Sequence, residues 1–303
     1  MTDAIDSQPI IDTHHHFFDL EAVYYPWLTD RPEPHFLLGN YDAIKRNFSP
    51  DDYRRAAQGF NIVKTVHVEA EADHDEPLRE TRWLETVAAE SNLPTAIVAH
   101  ATFHAPNVEE VLEAQAACPM VRGIRSKPTT TYSPKDSAAG KPGAMDDPAW
   151  RAGLKRLRAH DLSWDLRVPY WHLAESSEVV AEIPDTVVIL EHTGLAWDRS
   201  EEGLAVWRDG MTRLAALDNV WLKISELGLP DGPWNYEDNR RLVRDALEIF
   251  GVARSMFGSN APVSGLRIGL AELIPALRRM IEDLSAAEKH LFWYENAAKA
   301  YRL

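Results

Sequence analysis

Three consecutive histidines, His14, His15 and His16, close an apolar run that opens at Pro9. In an extended chain successive side chains point to opposite faces. His14 and His16 therefore face one way, with Asp12 on the same side, and His15 faces the other. Two imidazoles converging on one point suit a divalent cation, or a carbonyl oxygen that must be polarised. The competing reading is a set of hydrogen-bonded core histidines. His192 ends another apolar run in Glu191-His-Thr-Gly194, and His172 ends a third in Val168-Pro-Tyr-Trp-His172. His67, Glu69 and Glu71 share one face of a further run. Arg125 and Lys127 share a face in Val121-Arg-Gly-Ile-Arg-Ser-Lys-Pro128. A guanidinium grips a carboxylate through two parallel hydrogen bonds, so this pair is either an anchor for an anionic substrate or half of an internal ion pair. Trp27, Tyr170, Trp171, Trp197 and Trp234 stand near the starts of loops. They would wall a pocket for a ring-shaped substrate, or simply pack.

The elements that must position these groups follow from the apolar pattern. Short β-type runs cover residues 9–17, 62–71, 95–103, 121–127, 163–173, 186–194, 219–228 and 255–262. Helical patterns lie between them, near 77–91, 108–117, 148–160, 174–182, 202–217, 237–250 and 266–281. Eight strands alternating with helices predict a parallel sheet closed into a (β/α)8 TIM barrel, one domain over residues 1–303. An open doubly wound sheet is the rival, but no glycine-rich phosphate turn is present. Every candidate above then falls at a strand's C-terminal end, where such barrels build their sites. Strand six lies across the barrel from strand one, so His192 can reach the centre defined by His14 and His16. Residues 18–50 and 129–148 are long connections on that same face and are expected to act as lids. Residues 285–303 read as a helical tail packed on the barrel.

Composition narrows the partners. The formal net charge is -15, which repels phosphate backbones and argues against nucleic acid. No window is apolar for long enough to span a bilayer. Residues 1–9 are polar and acidic, with neither the basic start nor the apolar stretch of a secretory signal. The single cysteine, Cys118, allows no internal disulfide and fits a cytoplasmic setting. The expected partner is a small molecule, with self-association into a homo-oligomer left open.

Taken together, these stretches resemble the amidohydrolase-related family, and within it the lactonase branch that includes 2-pyrone-4,6-dicarboxylate and sugar-acid lactonases. The matching residues run nearly end to end: Ile11-Asp-Thr-His-His-His-Phe-Phe-Asp19 with Tyr25-Pro-Trp-Leu28, Val121-Arg-Gly-Ile-Arg125, Glu191-His-Thr-Gly194, Trp221-Leu-Lys-Ile-Ser225, Met256-Phe-Gly-Ser-Asn260 and Asn296-Ala-Ala-Lys-Ala-Tyr301. The resemblance implies a hydrolase in which His14, His16 and His192 polarise a carbonyl, directly or through a metal, and in which Arg125 holds a substrate carboxylate. One position departs from the pattern. The family has an aspartate at the end of strand eight, as proton acceptor or metal ligand, and this chain has Asn260. An amide has no accessible pKa and cannot act as a base. Glu226, just past strand seven, is the nearest carboxylate in strand order, with His172 and Glu69 in reserve. Three histidines without that aspartate make a thin ligand set, so no metal, or a weakly held zinc or manganese ion, is expected. The rival activities are metal-dependent non-oxidative decarboxylation and ligand binding without turnover.

Overall fold

The computed structural model describes residues 7–303, so the start of the polar opening segment, Met1 to Asp6, lies outside the described residues. Eight strands form one sheet in chain order: β1 (Ile10–His15), β2 (Ile62–Val68), β3 (Ala96–Ala99), β4 (Val121–Ile124), β5 (Ser163–Leu166), β6 (Val188–Leu190), β7 (Val220–Ile224) and β8 (Ser255–Phe257). All neighbours are parallel. The extension of β8 closes the ring on β1, where the Asn260 N–H donates to the His14 carbonyl at 2.7 Å and the His16 N–H to that of Ala261 at 2.8 Å. The barrel predicted from the apolar pattern is the barrel observed. Its helices are α1 (Pro50–Ala56), α2 (Arg79–Ser91), α3 (Val108–Ala116), α4 (Pro148–Arg156), α5 (Leu173–Ala181), α6 (Glu201–Ala215), α7 (Tyr236–Phe250) and α8 (Leu270–Met280), followed by a tail of α9 (Ala286–His290) and α10 (Asn296–Ala300). No helix among the described residues is long and apolar enough to cross a membrane.

The inward residues of the strands make two layers. The lower one is apolar: Ile11, Val66, Val68, Val98, Ile189 and Met256 cluster with Ala297, Ala300 and Tyr301, so the tail plugs the barrel. The upper layer is charged and leads to the mouth. The strands are shorter than the apolar runs suggested, because the chain turns sharply once it leaves the sheet. Glu71, His192, Glu226 and Asn260 all have positive φ, between 43° and 56°. Such conformations cost non-glycine residues about 1–3 kcal/mol each and gather where a site demands them.

Strict alternation also fails once inside β1. Asp12 pairs with Thr65 and His15 with His67, so three steps on β1 match two on β2. The extra residue is a bulge that shifts the phase. Asp12 therefore does not share the face of His14 and His16. It turns to α1 and the β8 extension, accepting from Tyr53 Oη at 2.7 Å, Ser259 N at 2.8 Å and Ser259 Oγ at 2.6 Å. It clasps the seam of the barrel. His15 faces outward as expected, between Phe17 and Tyr53, and both its ring nitrogens are buried without a partner.

Candidate active site

The mouth opens into a cavity of about 610 Å³. His16, His192 and Asn260 line it together with Arg125, Lys127, Arg167 and the rings of Trp27, Phe36, Trp171 and Trp197. The two long connections form its rim. Residues 33–37 and 130–132 contribute to the wall, and the rings of His35 and Tyr132 meet at 4.0 Å. A hollow of similar size, about 660 Å³, lies on the outer helices around Leu78, Arg82 and Trp83, away from all of these groups.

Beneath the cavity floor a ladder of buried charges climbs the barrel axis. Tyr301 Oη donates to Asp165 at 2.6 Å, and Lys223 Nζ donates to the same carboxylate at 2.6 Å. Lys223 also lies 3.5 Å from Glu191. Glu191 in turn stands 3.2 Å from His14 Nδ1 and 3.1 Å from Arg125 Nη1. Burial alone would raise the Glu191 pKa, but Arg125, His14 and Lys223 outweigh it and hold the carboxyl well below its usual range. It is a fixed anion.

The histidines lie against that ladder. Burial keeps His14, His16 and His192 neutral, pushing each pKa well below 6.5. His14 Nδ1 faces Glu191 at 3.2 Å and Lys223 more distantly at 3.5 Å. Nδ1 thus lies between an acceptor-only group and a donor-only group, and Nε2 is buried without a partner. His16 Nδ1 donates to the Val68 carbonyl at 2.7 Å, which bares its Nε2. His192 differs. The Ser225 hydroxyl accepts the His192 backbone N–H at 3.1 Å, and its own proton has only His192 Nδ1, also at 3.1 Å, to go to. The network thus assigns His192 the Nε2–H form, a donor at the cavity.

Asn260 and Glu226 form the remaining side of the floor. Asn260 Oδ1 lies 3.1 Å from His16 Nε2, and its Nδ2 donates to Glu226 Oε2. Glu226 also accepts the Gly228 N–H at 3.2 Å. It is buried, and desolvation pushes its pKa up to about 7, against the lowering effect of its bond to Asn260. It does not itself line the cavity; the Asn260 amide stands in front of it. His16 Nε2 and Asn260 Oδ1 are both acceptors. A donor or a cation between them, or a turned-over amide, resolves that contact.

The same observation tests the metal. His16 has a bare Nε2 with its Nδ1 proton held by an oxygen, the pattern of an imidazole ligand, and the Nε2 of His14 is buried without a partner. His14, Glu191 and His192 have candidate ligand atoms within 4.8 Å of one another, but His192 in its Nε2–H form has no free nitrogen, which leaves His14 and His16 as the imidazole ligands. The residues fit one divalent ion, with the neutral oxygen of Asn260 in place of a carboxylate.

The other candidates are divided between the cavity wall and its surroundings. Each of the three guanidinium nitrogens of Arg125 makes one bond, to Glu69 Oε1, Glu191 Oε2 and the Glu69 carbonyl. It is the hub of the charge network. Glu69 is its partner, and His67 faces away toward Glu80 of α2 at 3.3 Å. Lys127 pairs with Glu71. His172 lies outside the cavity wall, its ring held by Glu175 at 2.9 Å and Thr131 at 3.2 Å. Tyr170 is buried outside the wall, whereas Trp27 lines it and donates to the Ala70 carbonyl. The sequence reading missed Asp165, the roles of Lys223 and Glu191, and Arg167. A charge in the middle of a buried apolar run, as in Trp164-Asp165-Leu166 or Leu222-Lys223-Ile224, was the available signal, since such groups must find partners.

The comparisons with known proteins agree with this architecture. The model of the amidohydrolase family matches residues 11–303. The chain is 36% identical to the uncharacterized protein y4mH of Sinorhizobium fredii over 296 residues, covering 97% of this chain and 98% of that one. It is 28% identical to the L-fucono-1,5-lactonase of Burkholderia multivorans, over 97% of this chain and 96% of that one. A crystal structure of an amidohydrolase from Burkholderia multivorans, with bound HEPES, superposes with a TM-score of 0.80 at 28% identity, covering 97% of this chain and 99% of that one. With its eight-stranded barrel, its histidine-lined floor and a match from the first strand to the last residue, the chain belongs to the amidohydrolase family, in its lactonase branch, and is a hydrolase.

Proposed function

We propose that this chain opens the ring of a small lactone by hydrolysis on the floor made by His16, His192 and Asn260. The observation that carries the reading is Glu226, a buried carboxyl with a pKa of about 7, one hydrogen bond behind a cavity-lining amide that cannot take a proton itself. The lactonase relative from Burkholderia multivorans supports the substrate class. With Glu226 ionised, Asn260 donates to it and turns Oδ1 toward the cavity, where it accepts a hydrogen bond from water. His192 donates Nε2–H to the lactone carbonyl, stabilising the charge that grows on its oxygen. The water oxygen adds to the carbonyl carbon as the Asn260 side chain swings aside, which opens Glu226 to the cavity and lets it take the water's proton. As the ring C–O bond breaks, Glu226 returns the proton to the leaving oxygen, and an open hydroxy acid results. His14 and His16 would hold a divalent ion, which when bound supplies further polarisation of the carbonyl.

The test is a panel of five- and six-membered lactones, L-fucono-1,5-lactone among them. Acid release is followed with a pH indicator, on chelator-treated protein and again with zinc or manganese added. Turnover of at least one lactone above the buffer rate is expected. Carbon dioxide release from an aromatic carboxylate, with every lactone left closed, would place the chain among decarboxylases instead.

A further inference from the structure

Three cations line the cavity, and two are already matched. Arg125 spends its guanidinium on Glu69 and Glu191, and Lys127 pairs with Glu71. Arg167, the residue after β5, is different. It is half-buried in the cavity wall, yet none of its guanidinium hydrogens meets an acceptor among the described residues. Its charged surroundings are at longer range. Burial and then the like charge of Arg125 pull its pKa down, while Glu191, Glu71 and Glu69 act the other way. A guanidinium that gives up water next to another cation gains nothing for the fold. Its planar fork of donors is matched to a carboxylate. The rings of Trp27, Phe36, Trp171 and Trp197 stand in the same wall and suit a small flat or ring-shaped body.

The structure assigns Arg167 as the specificity-determining grip on a carboxylate carried by the substrate, so that the preferred ligand is a small ring bearing one acid group. This rests on the hydrolysis reading in one respect, that substrate occupies this cavity. It moves the anchor that the sequence placed on Arg125 to the cation that is free to serve.

Benzoate and its uncharged counterpart benzamide are the probes. Each is titrated at low salt into wild-type protein, Arg167→Met and Arg167→Lys, followed by tryptophan fluorescence and calorimetry. Wild type is expected to favour benzoate over benzamide by roughly 10-fold or more, the scale of a hydrogen bond to a charged group. The Met variant should bind the two alike, the Lys variant should fall between, and benzamide affinity should not change. Wild-type protein without a benzoate preference, through parity or through absence of binding, overturns the assignment, and so does a Met variant that keeps it. Thermal melting supplies a second readout. Arg167→Met should melt at or above the wild-type temperature, since no partner is lost and repulsion from Arg125 is relieved. A drop of several degrees would mark Arg167 as structural and also overturn the assignment. Neither readout needs turnover. Benzoate preference without lactone opening removes the hydrolysis reading and keeps the subsite, and lactone opening without the preference does the reverse.

Discussion

Asn260 holds a position from which no proton can be taken, and its neighbours are arranged accordingly. Its amide has one donor end, held by Glu226, and one acceptor end, 3.1 Å from the bare Nε2 of His16. The protonation state of Glu226 therefore decides which end of Asn260 faces the cavity. Arg125 shows the opposite relation between residue and function. Each donor it spends goes to a buried acceptor. Arg125→Met would leave Glu69 charged and buried without its ion-pair partner, and Glu191 with Lys223 alone. Breaking such a pair typically costs about 3–5 kcal/mol. Urea denaturation should show a loss of that size, in contrast to Arg167→Met, which should show none. Equal stability of the two variants would mean that the charge ladder does not depend on its hub.

Among the elements, the strands were readable because buried parallel strands need continuous apolar runs and the helices between them need a different period. What the sequence concealed are departures from those periods. The bulge in β1 moves Asp12 from the site to the seam, and no local pattern announces it. The turns at Glu71, His192, Glu226 and Asn260 end alternation just where the functional groups begin. The long connections that contribute to the cavity wall could be placed by length alone, but which of their rings face inward depends on packing. The tail was read as a packed helix; its larger part is to close the lower layer and bond Asp165 through Tyr301. Asp165 Oδ1 already has no partner. Tyr301→Phe removes a donor from the other oxygen and should destabilise the fold by about 1–3 kcal/mol. A thermal melt checks it, and an unchanged melting temperature would show that Lys223 alone satisfies Asp165.

For the whole molecule, the buried titratable groups set a pH of greatest stability. His14, His15, His16, His67, His100 and His192 all have their pKa lowered from 6.5, chiefly by burial. Below about that pH the unfolded chain binds more protons at these sites, so stability falls as pH falls. Glu80 and Glu226 are raised from 4.5, to about 8 and about 7, mainly by desolvation. Between those limits the folded chain holds more protons at these two sites, so stability falls as pH rises. Each unmatched proton contributes a slope of roughly 1.4 kcal/mol per pH unit. The histidines dominate the acid side and the two glutamates the side above neutrality, so the urea midpoint should peak at about pH 6.5 to 7 and decline on both sides. A midpoint that rises steadily to about pH 9 would contradict this balance. The most direct test of the proposed chemistry uses the same glutamate in turnover: the pH dependence of kcat/KM for a lactone substrate, measured for wild type, Glu226→Gln and Glu226→Gln with Asn260→Asp. Because the ionised carboxylate is the acceptor, the wild-type rate should rise with pH through about 7. Glu226→Gln should fall by about 10²–10⁴-fold and lose that rise, and Asn260→Asp should restore part of the loss. A Glu226→Gln enzyme with the wild-type rate and profile would contradict the assignment of Glu226.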